Sequence, residues 1–430
     1  MKRSDMTSHV LASICCAAGL ALAAGGGTLL SGSMAAISLV SPARDARVPT
    51  LPLAQKAVLA QATKDERRTV GASYPNGPWG VSAPLVLKWR ATAGETGSWK
   101  IRVGTNPDLT DGTDYWIFFF DIKPDADGTY SYEVPRANLE LGRRYWWRVW
   151  SNVKCAKWSC GAATGPNGCA CGATGPAPAS ETRTFVTEDV PPRWIAIEGR
   201  TKNIRDLGGW RTLDGRRVRQ GLAFRGEALN DNSVNGEVVG RNRLTFEDAD
   251  YLTKTLGIRT DLDLRTKREI STMTQSPLGP GVAFIHRSAP AYKEIFTPDG
   301  MKTMAANFRV FCDEKNYPVF FHCIGGADRT GSLAYVLNGV LGVGRVDLER
   351  DWESTFYPDI PNVVTNDTGK PFINGTYWRS SQHFDDGFAR YAAPGDTLRD
   401  RIERYLLACG VTKEEIAKVR AIMLEADAQN

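Results

Sequence analysis

Hydrophobic and polar positions alternate with period two in six short runs between Leu85 and Thr187. They are Leu85-Val-Leu-Lys-Trp, Trp99-Lys-Ile-Arg-Val, Trp116-Ile-Phe-Phe-Phe, Tyr130-Ser-Tyr-Glu-Val, Tyr145-Trp-Trp-Arg-Val and Thr182-Arg-Thr-Phe-Val. Aromatic and β-branched alternation at this spacing, broken by turn residues, predicts an all-β sandwich. Beyond Pro191-Pro192 the period changes. Continuous apolar runs at 258–264, 282–286 and 319–321 read as short buried strands, and helical periodicity predicts helices around 245–256, 302–312, 330–341, 348–355, 397–408 and 413–426. Strands feeding helices through short turns imply an α/β unit with a mostly parallel central sheet. The expected fold class is therefore multidomain, an N-terminal all-β sandwich followed by an α/β domain.

The ends of this pattern set the expected boundaries. Lys2 and Arg3 precede an apolar, Ala/Gly-rich run reaching residue 40, which reads as a secretory signal peptide over residues 1–40. Cleavage fits either Ala21-Leu-Ala-Ala or Ser33-Met-Ala-Ala. An uncleaved membrane anchor is the lesser alternative, because the run is long enough to span a bilayer but carries three consecutive Gly and several Ser. Residues 41–76 are expected to be a linker with a short helix near 53–68, residues 77–190 the sandwich, and residues 191–430 the α/β domain. An exported protein, periplasmic or secreted and without a stable membrane span after cleavage, is the expectation.

Composition narrows the chemistry. A net charge of +5 over 430 residues is too small for a dedicated nucleic-acid binder, so no nucleic-acid partner is expected. Four His, one of them in the leader, disfavour a multi-histidine metal centre, and neither a metal nor another cofactor is called for. Cys155, Cys160, Cys169 and Cys171 crowd into a Gly-rich segment. In an oxidising compartment two disulfides would stiffen it, with three pairings open; the spacing fits paired zinc knuckles poorly.

The informative run is Pro318-Val-Phe-Phe-His-Cys-Ile-Gly-Gly-Ala-Asp-Arg-Thr-Gly-Ser. An apolar strand delivers Cys323 into a Gly-containing loop, Arg329 follows after five intervening residues, and a helix begins. Each part serves a phosphate monoester. Amides of a tight loop at a helix N-terminus favour a dianion. Gly325 and Gly326 permit the curvature. Arg329 can fork onto two phosphate oxygens. The same field would favour a Cys323 thiolate, the nucleophilic form. Ile324, Gly325, Gly326, Ala327, Thr330 and Gly331 are the expected substrate-binding positions, and Thr330 is placed to stabilise the departing thiolate. His322 is expected to order the loop.

This run resembles the signature of cysteine-based protein tyrosine phosphatases, His-Cys-x5-Arg-Ser/Thr, and is most similar to the bacterial tyrosine/lipid phosphatase branch, His-Cys-x-x-Gly-Lys-Asp-Arg-Thr-Gly. Asn203-Ile-Arg-Asp-Leu-Gly-Gly, Phe224-Arg-Gly-Glu-Ala-Leu and Gly257-Ile-Arg-Thr-Asp-Leu-Asp-Leu-Arg fit the same branch, in the same order. The resemblance implies hydrolysis through a phosphocysteine, with Cys323, Asp328 and Arg329 catalytic and Asp328 protonating the leaving oxygen. Other tyrosine phosphatases carry the acid on an earlier loop, where Thr297-Pro-Asp-Gly offers Asp299. Ala327 stands where that branch has Lys, which weakens the case for highly anionic head groups. Leu139, Gly142, Tyr145, Trp147 and Val149 resemble the penultimate strand of fibronectin type III modules, whose Tyr folds back onto the preceding corner.

The expected substrate is protein phosphotyrosine or a small phosphomonoester, with phosphoinositides or inositol phosphates as alternatives. A non-catalytic protein that binds phosphorylated ligands is the reading from another class. Rhodanese-type sulfur transfer fits the Arg-Thr-Gly ending poorly. Arg205, Asp206, Arg225 and Arg265 are expected to be scaffold, Cys312 a buried small apolar residue or a resolving thiol, and the sandwich a surface or glycan contact. The Pro/Gly-bearing stretch 356–378, with Tyr357, Phe372, Tyr377 and Trp378, is either a lid or a self-packed surface loop.

Overall fold

Inward-facing positions of the alternating runs close into two facing sheets. The strands are β1 (Ile37–Ser41), β2 (Ala46–Val48), β3 (Val86–Ala91), β4 (Trp99–Gly104), β5 (Thr113–Ile117), β6 (Thr129–Glu133), β7 (Arg144–Ser151), β8 (Cys155–Cys160), β9 (Cys169–Ala173) and β10 (Arg183–Thr187). One sheet has the order β1-β3-β6 and the other β2-β10-β7-β4-β5. The structure, a computed structural model, describes residues 37–74, 77–91, 98–118, 121–151, 155–160, 169–173, 179–231, 242–355, 357, 364–365, 371–372 and 380–426. Strand β7 shows the pleat plainly: its residues alternate from exposed or half-buried to buried along its length. Trp89, Trp99, Trp147 and Phe185 fill the space between the sheets, with Trp89 and Trp99 edge-to-face at 5.5 Å. The hydroxyl of Tyr145 accepts the Glu140 amide at 2.9 Å, the fold-back expected at this corner.

Residues 41–76 are not a linker. Strand β1 pairs antiparallel with β3, and β2 pairs parallel with β10, so the sandwich begins at Ile37, inside the stretch read as leader. Their short alternation was hidden by the apolar run before them. Helices α1 (Leu53–Leu59) and α2 (Lys64–Ala72) follow, the second closed by a capping box between Thr63 and Glu66. Strand β5 begins three residues earlier than its aromatic run suggested. The Cys-rich segment is an antiparallel pair, β8 with β9, that sets Cys160 opposite Cys169. Its side chains, and with them the disulfide and zinc readings, lie outside the described residues. The lid expected at 356–378 also lies largely outside them, apart from Tyr357 and the backbone of two short strands, Val364–Thr365 and Pro371–Phe372.

Beyond Pro192 the central sheet holds β11 (Arg205–Asp206), β12 (Ala223–Gly226), β13 (Thr260–Asp263), β14 (Ala283–His286) and β15 (Val319–His322), in the order β11-β12-β15-β13-β14. It is mixed rather than purely parallel: β12-β15, β15-β13 and β13-β14 run parallel, while β11 pairs antiparallel with β12 at one edge. Every residue of β12, β13 and β15 is buried, although β12 and β13 carry charges. The helices are α3 (Phe246–Asp250), α4 (Lys267–Ile270), α5 (Pro298–Phe308), α6 (Asp328–Leu341), α7 (Arg345–Ser354), α8 (Gln382–Phe388), α9 (Leu398–Ala408) and α10 (Lys413–Met423). Helix α6 is buried from Thr330 to Leu341, the mark of a helix covered on all sides. It packs on α9 through Gly339 and Ile402 and ends at Gly342, in the left-handed conformation.

Residues 36–430 form one compact unit. Arg193 ties the two halves, donating to the carbonyls of Asn138 and Leu139 in the sandwich and to the Asp206 carboxylate in the α/β part. Among the described residues no helix is long and apolar enough to cross a membrane.

Candidate active site

Strand β15 sits in the middle of the sheet, so the loop that leaves it opens where neighbouring strand ends converge. Cys323 is the first residue of that loop and is only 3% exposed. What shapes the loop is the destination of its carbonyls. Ile324 O accepts the Ala228 amide at 3.0 Å, and Gly325 O accepts Asn203 Nδ2 at 3.1 Å. Gly326 O accepts Arg225 Nη2 at 2.8 Å, and Ala327 O accepts the Gly331 amide at 3.0 Å. Three successive carbonyls are thus bound to the scaffold, and the fourth to the first turn of α6. In a trans peptide the N–H lies opposite the carbonyl, so the amides of residues 325–328 are turned the other way, toward the concave side.

Gly326 adopts φ +66°, and a Cβ there would collide with the Gly226 carbonyl. Gly325 has no such need: an added Cβ would meet nothing within 4 Å. Gly331 lets the first turn of α6 lie on Trp352, since a Cβ would come within 2.6 Å of that ring. Among the described residues no side chain caps α6, whereas Thr245, Thr266, Thr297, Thr397 and Thr412 cap α3, α4, α5, α9 and α10. The helix therefore keeps its N-terminal amides and the positive end of its dipole for the loop.

Arg329, on the first turn of α6, lies half-buried with Nη1 and Nη2 at 2.6 and 3.0 Å from the two carboxylate oxygens of Glu269. Burial alone would lower the guanidinium's pKa, but Glu269, Cys323 and Asp328 outweigh it and hold it above its ordinary value. Glu269 is in turn pulled down to about 2: burial opposes ionisation, and the bonds from Arg329 and from the Thr266 amide prevail. The Arg329 fork is thereby held in one orientation. Burial raises the pKa of Asp328 above the usual carboxylate range against the pull of Arg329, and its Oδ1 accepts the Tyr292 hydroxyl. Asp299 lies exposed on the first turn of α5. Among the described residues the buried Thr330 hydroxyl has no hydrogen-bond partner.

Beneath the loop lies a layer of buried charge. His322 is held between Asp261, 3.0 Å from Nε2, and its own loop's Cys323 carbonyl, 3.2 Å from Nδ1. Burial favours the neutral ring, but Asp263 and Asp261 raise its pKa. Arg205 and Arg225 share Asp351 of α7, at 2.9 and 2.6 Å. Arg265 pairs with Asp263, and Asp206 with Arg193. Arg205, Asp206, Arg225 and Arg265, expected to be scaffold, all sit in buried ion pairs, and two of them reach the loop itself: Arg225 directly, Arg205 through Asn203. Cys312 donates to the Phe308 carbonyl, and burial pushes its thiol up to about 11, so it behaves as a small apolar residue.

Sequence reasoning missed Glu269, Asn203, Tyr292 and Asp351. Glu269 had a visible signal, a Thr-x-x-Glu capping box, but that signal announces a helix start and not a partner for an arginine sixty residues on. A separate cleft of about 700 Å³ opens between the sandwich and α3, lined by Tyr115, Arg136, Arg193 and Tyr251 among others; no residue of the loop lines it.

A family model described as the tyrosine phosphatase family matches residues 196–425. Among solved structures, the core catalytic domain of the PP-IP phosphatase SIW14 from S. cerevisiae, in complex with citrate, is similar over 33% of this chain and 78% of that one, at 11% identity and a TM-score of 0.21. No curated protein sequence matches the chain.

Proposed function

The chain belongs to the tyrosine phosphatase family, and from that premise we propose that it hydrolyses phosphate monoesters through a phosphocysteine on Cys323, with protein phosphotyrosine as its substrate. One observation carries the reading: the carbonyls of residues 324–326 are bound to the scaffold and that of Ala327 to the first turn of α6, so their partner amides turn to the concave side of the loop, beside Cys323 and the Arg329 whose charge it feels. That arrangement suits three equatorial phosphoryl oxygens.

In this mechanism the Cys323 thiolate attacks phosphorus in line and the phosphorus–ester oxygen bond breaks. Asp328, whose pKa burial raises, passes its proton to the departing oxygen. Arg329 and the loop amides hold the oxygens as charge moves onto them. Water then attacks the phosphocysteine, Asp328 carboxylate takes its proton, and the sulfur leaves with the Thr330 hydroxyl, without a partner among the described residues, donating to it. Orthophosphate and the thiolate result. Ile324, Gly325, Gly326, Ala327 and Gly331 bind through backbone or close approach.

Two features favour a phosphorylated tyrosine over a polyphosphorylated head group. Ala327 brings no cation to the mouth of the loop, and the neighbouring apolar and aromatic side chains, exposed Ile324 and half-buried Tyr292, suit a phenyl ring. Export accords with a signal cleaved after Ser33-Met-Ala-Ala, since that cut leaves β1 whole. The Tyr145 fold-back supports a fibronectin type III-like sandwich, for which surface or glycan contact is the proposed role.

A substrate panel tests the reading. Release of phosphate from phosphotyrosine peptides should exceed that from phosphoserine peptides and inositol phosphates, resist EDTA, and be inhibited by vanadate. Cys323→Ser should lower it by about 10⁵-fold. Preference for inositol phosphates would overturn the substrate assignment, and turnover that survives Cys323→Ser would overturn the mechanism.

A further inference from the structure

The segment expected to be a linker reaches the catalytic loop from behind. Helices α1 and α2 bury Leu51, Ala54, Val58 and Leu59 against Trp79 and against Trp194 and Tyr357 of the α/β domain. Within that contact Arg67 is fully buried. Its Nε and Nη2 lie 2.6 and 3.0 Å from the two oxygens of Glu353, and Nη2 also reaches Glu349 at 2.7 Å. Nη1 donates to the Ala62 carbonyl at 2.8 Å, tying the fork to the start of α2 itself.

Glu349 and Glu353 are four residues apart and so share one face of α7; Asp351, midway between them, lies on the opposite face. Asp351 is the residue that receives Arg205 and Arg225, and Arg225 holds the Gly326 carbonyl. Helix α7 is thus gripped between Arg67 on one side and the guanidiniums under the loop on the other. A second line runs in parallel. Gln55 of α1 accepts the Trp194 indole N–H at 3.0 Å, and the Arg205 guanidinium lies over the Trp194 ring at 5.4 Å. Arg205 then meets Asn203, which holds the Gly325 carbonyl.

We propose that Arg67 is a positioning residue for phosphate-ester hydrolysis: the α1–α2 hairpin braces α7 and so fixes the guanidinium layer that turns the loop carbonyls away from the substrate. The proposal rests on reading the loop as a phosphate cradle. It gives the upstream segment a task that neither the loop motif nor the matched region of the chain contains, since Arg67 lies outside residues 196–425.

The test uses the full chain with Arg67→Met, Arg67→Lys and Gln55→Met, and with Ile101→Ala in the sandwich core as a destabilised control. Each is measured at a temperature where circular dichroism shows it folded, for kcat and KM on p-nitrophenyl phosphate, for tungstate affinity by calorimetry, and for amide exchange of peptides covering 324–331. Arg67→Met should lower kcat and tungstate affinity each about 10-fold and speed exchange in the loop, because a small displacement of a preorganised site is felt strongly. Arg67→Lys, which keeps one ion pair, should recover part of that loss, and Gln55→Met should cost about 3-fold. Ile101→Ala should lower Tm and move none of the three readouts. If Arg67→Met does not fold, Arg67→Lys and Gln55→Met decide. Folded variants indistinguishable from wild type in kcat, tungstate affinity and exchange overturn the proposal. Should wild type neither bind tungstate nor hydrolyse any phosphomonoester, the phosphatase reading is what fails, and the exchange comparison alone decides the brace.

Discussion

The sandwich core and the layer beneath the Cys323 loop are both buried, but the first is apolar and the second is charged. Between the two sandwich sheets lie Trp89, Trp99, Trp147 and Phe185, apolar bodies that exclude water and meet edge to face. Under the catalytic loop lie Arg205, Arg225, Arg265, His322, Asp261, Asp263 and Asp351, all buried. Buried ion pairs add little to stability over apolar substitutes of equal volume, because desolvation offsets their attraction. They do impose direction, through donors at fixed angles. The sandwich is therefore built for stability, whereas the layer below Cys323 is built to hold carbonyls at chosen orientations.

Asp351→Asn attacks that distinction hardest. It leaves two guanidiniums in a buried site with a neutral partner, and should destabilise the domain by about 3–5 kcal/mol. Turnover of the folded fraction should also fall, by about 10²-fold, as the Gly326 carbonyl loses its fixed donor. Chemical denaturation paired with kcat measures both, and a loss of stability alone would mean the layer is only structural.

Asp328→Asn should separate chemistry from folding. Stability should hardly change, while kcat on phosphotyrosine peptides falls about 10²–10⁴-fold and that on p-nitrophenyl phosphate, whose leaving group needs little protonation, falls far less. Wild-type turnover of phosphotyrosine requires Asp328 protonated, so it should decline as pH rises through the raised pKa of this group, and the variant should lose that alkaline limb. Equal losses on both substrates would return Asp299 to consideration.

Trp89→Ala is the converse. It should remove about 3–5 kcal/mol from the sandwich core, seen as a lower Tm, and leave kcat at 20 °C below the transition unchanged. The smallest effect is expected of Ala327→Lys. A cation at the loop mouth should improve kcat/KM for inositol phosphates by about 3–10-fold, roughly 1 kcal/mol, with little change for phosphotyrosine. No gain would show that this position does not govern selection among anions.

Legibility in the sequence follows the same division. The sandwich strands could be read because their period-two pattern is local, and the strand, loop and helix from Val319 to Leu341 because they are contiguous, although Gly325 turned out not to need the absence of a side chain. Contacts that close across long separations could not. Glu269 meets Arg329 from sixty residues away, and Asp351 meets Arg205 and Arg225 from further still. Arg67 could not be singled out in the sequence for a physical reason: a charged residue amid Lys64, Asp65, Glu66 and Arg68 has the pattern of a solvated face, and only tertiary structure reveals that its fork is buried against Glu353. Strand β11 escaped notice because its two buried positions are Arg and Asp, and β12 because Arg225 and Gly226 leave it only two apolar residues, Ala223 and Phe224.

The central claim is that Cys323 carries the phosphoryl group during turnover. Acid-quenching wild-type protein in mid-turnover on p-nitrophenyl phosphate, followed by mass spectrometry of its peptides, tests this most directly. A phosphate mass on the peptide bearing Cys323, absent in Cys323→Ser, is the predicted result. Phosphate release without that adduct, or an adduct on another residue, would contradict it.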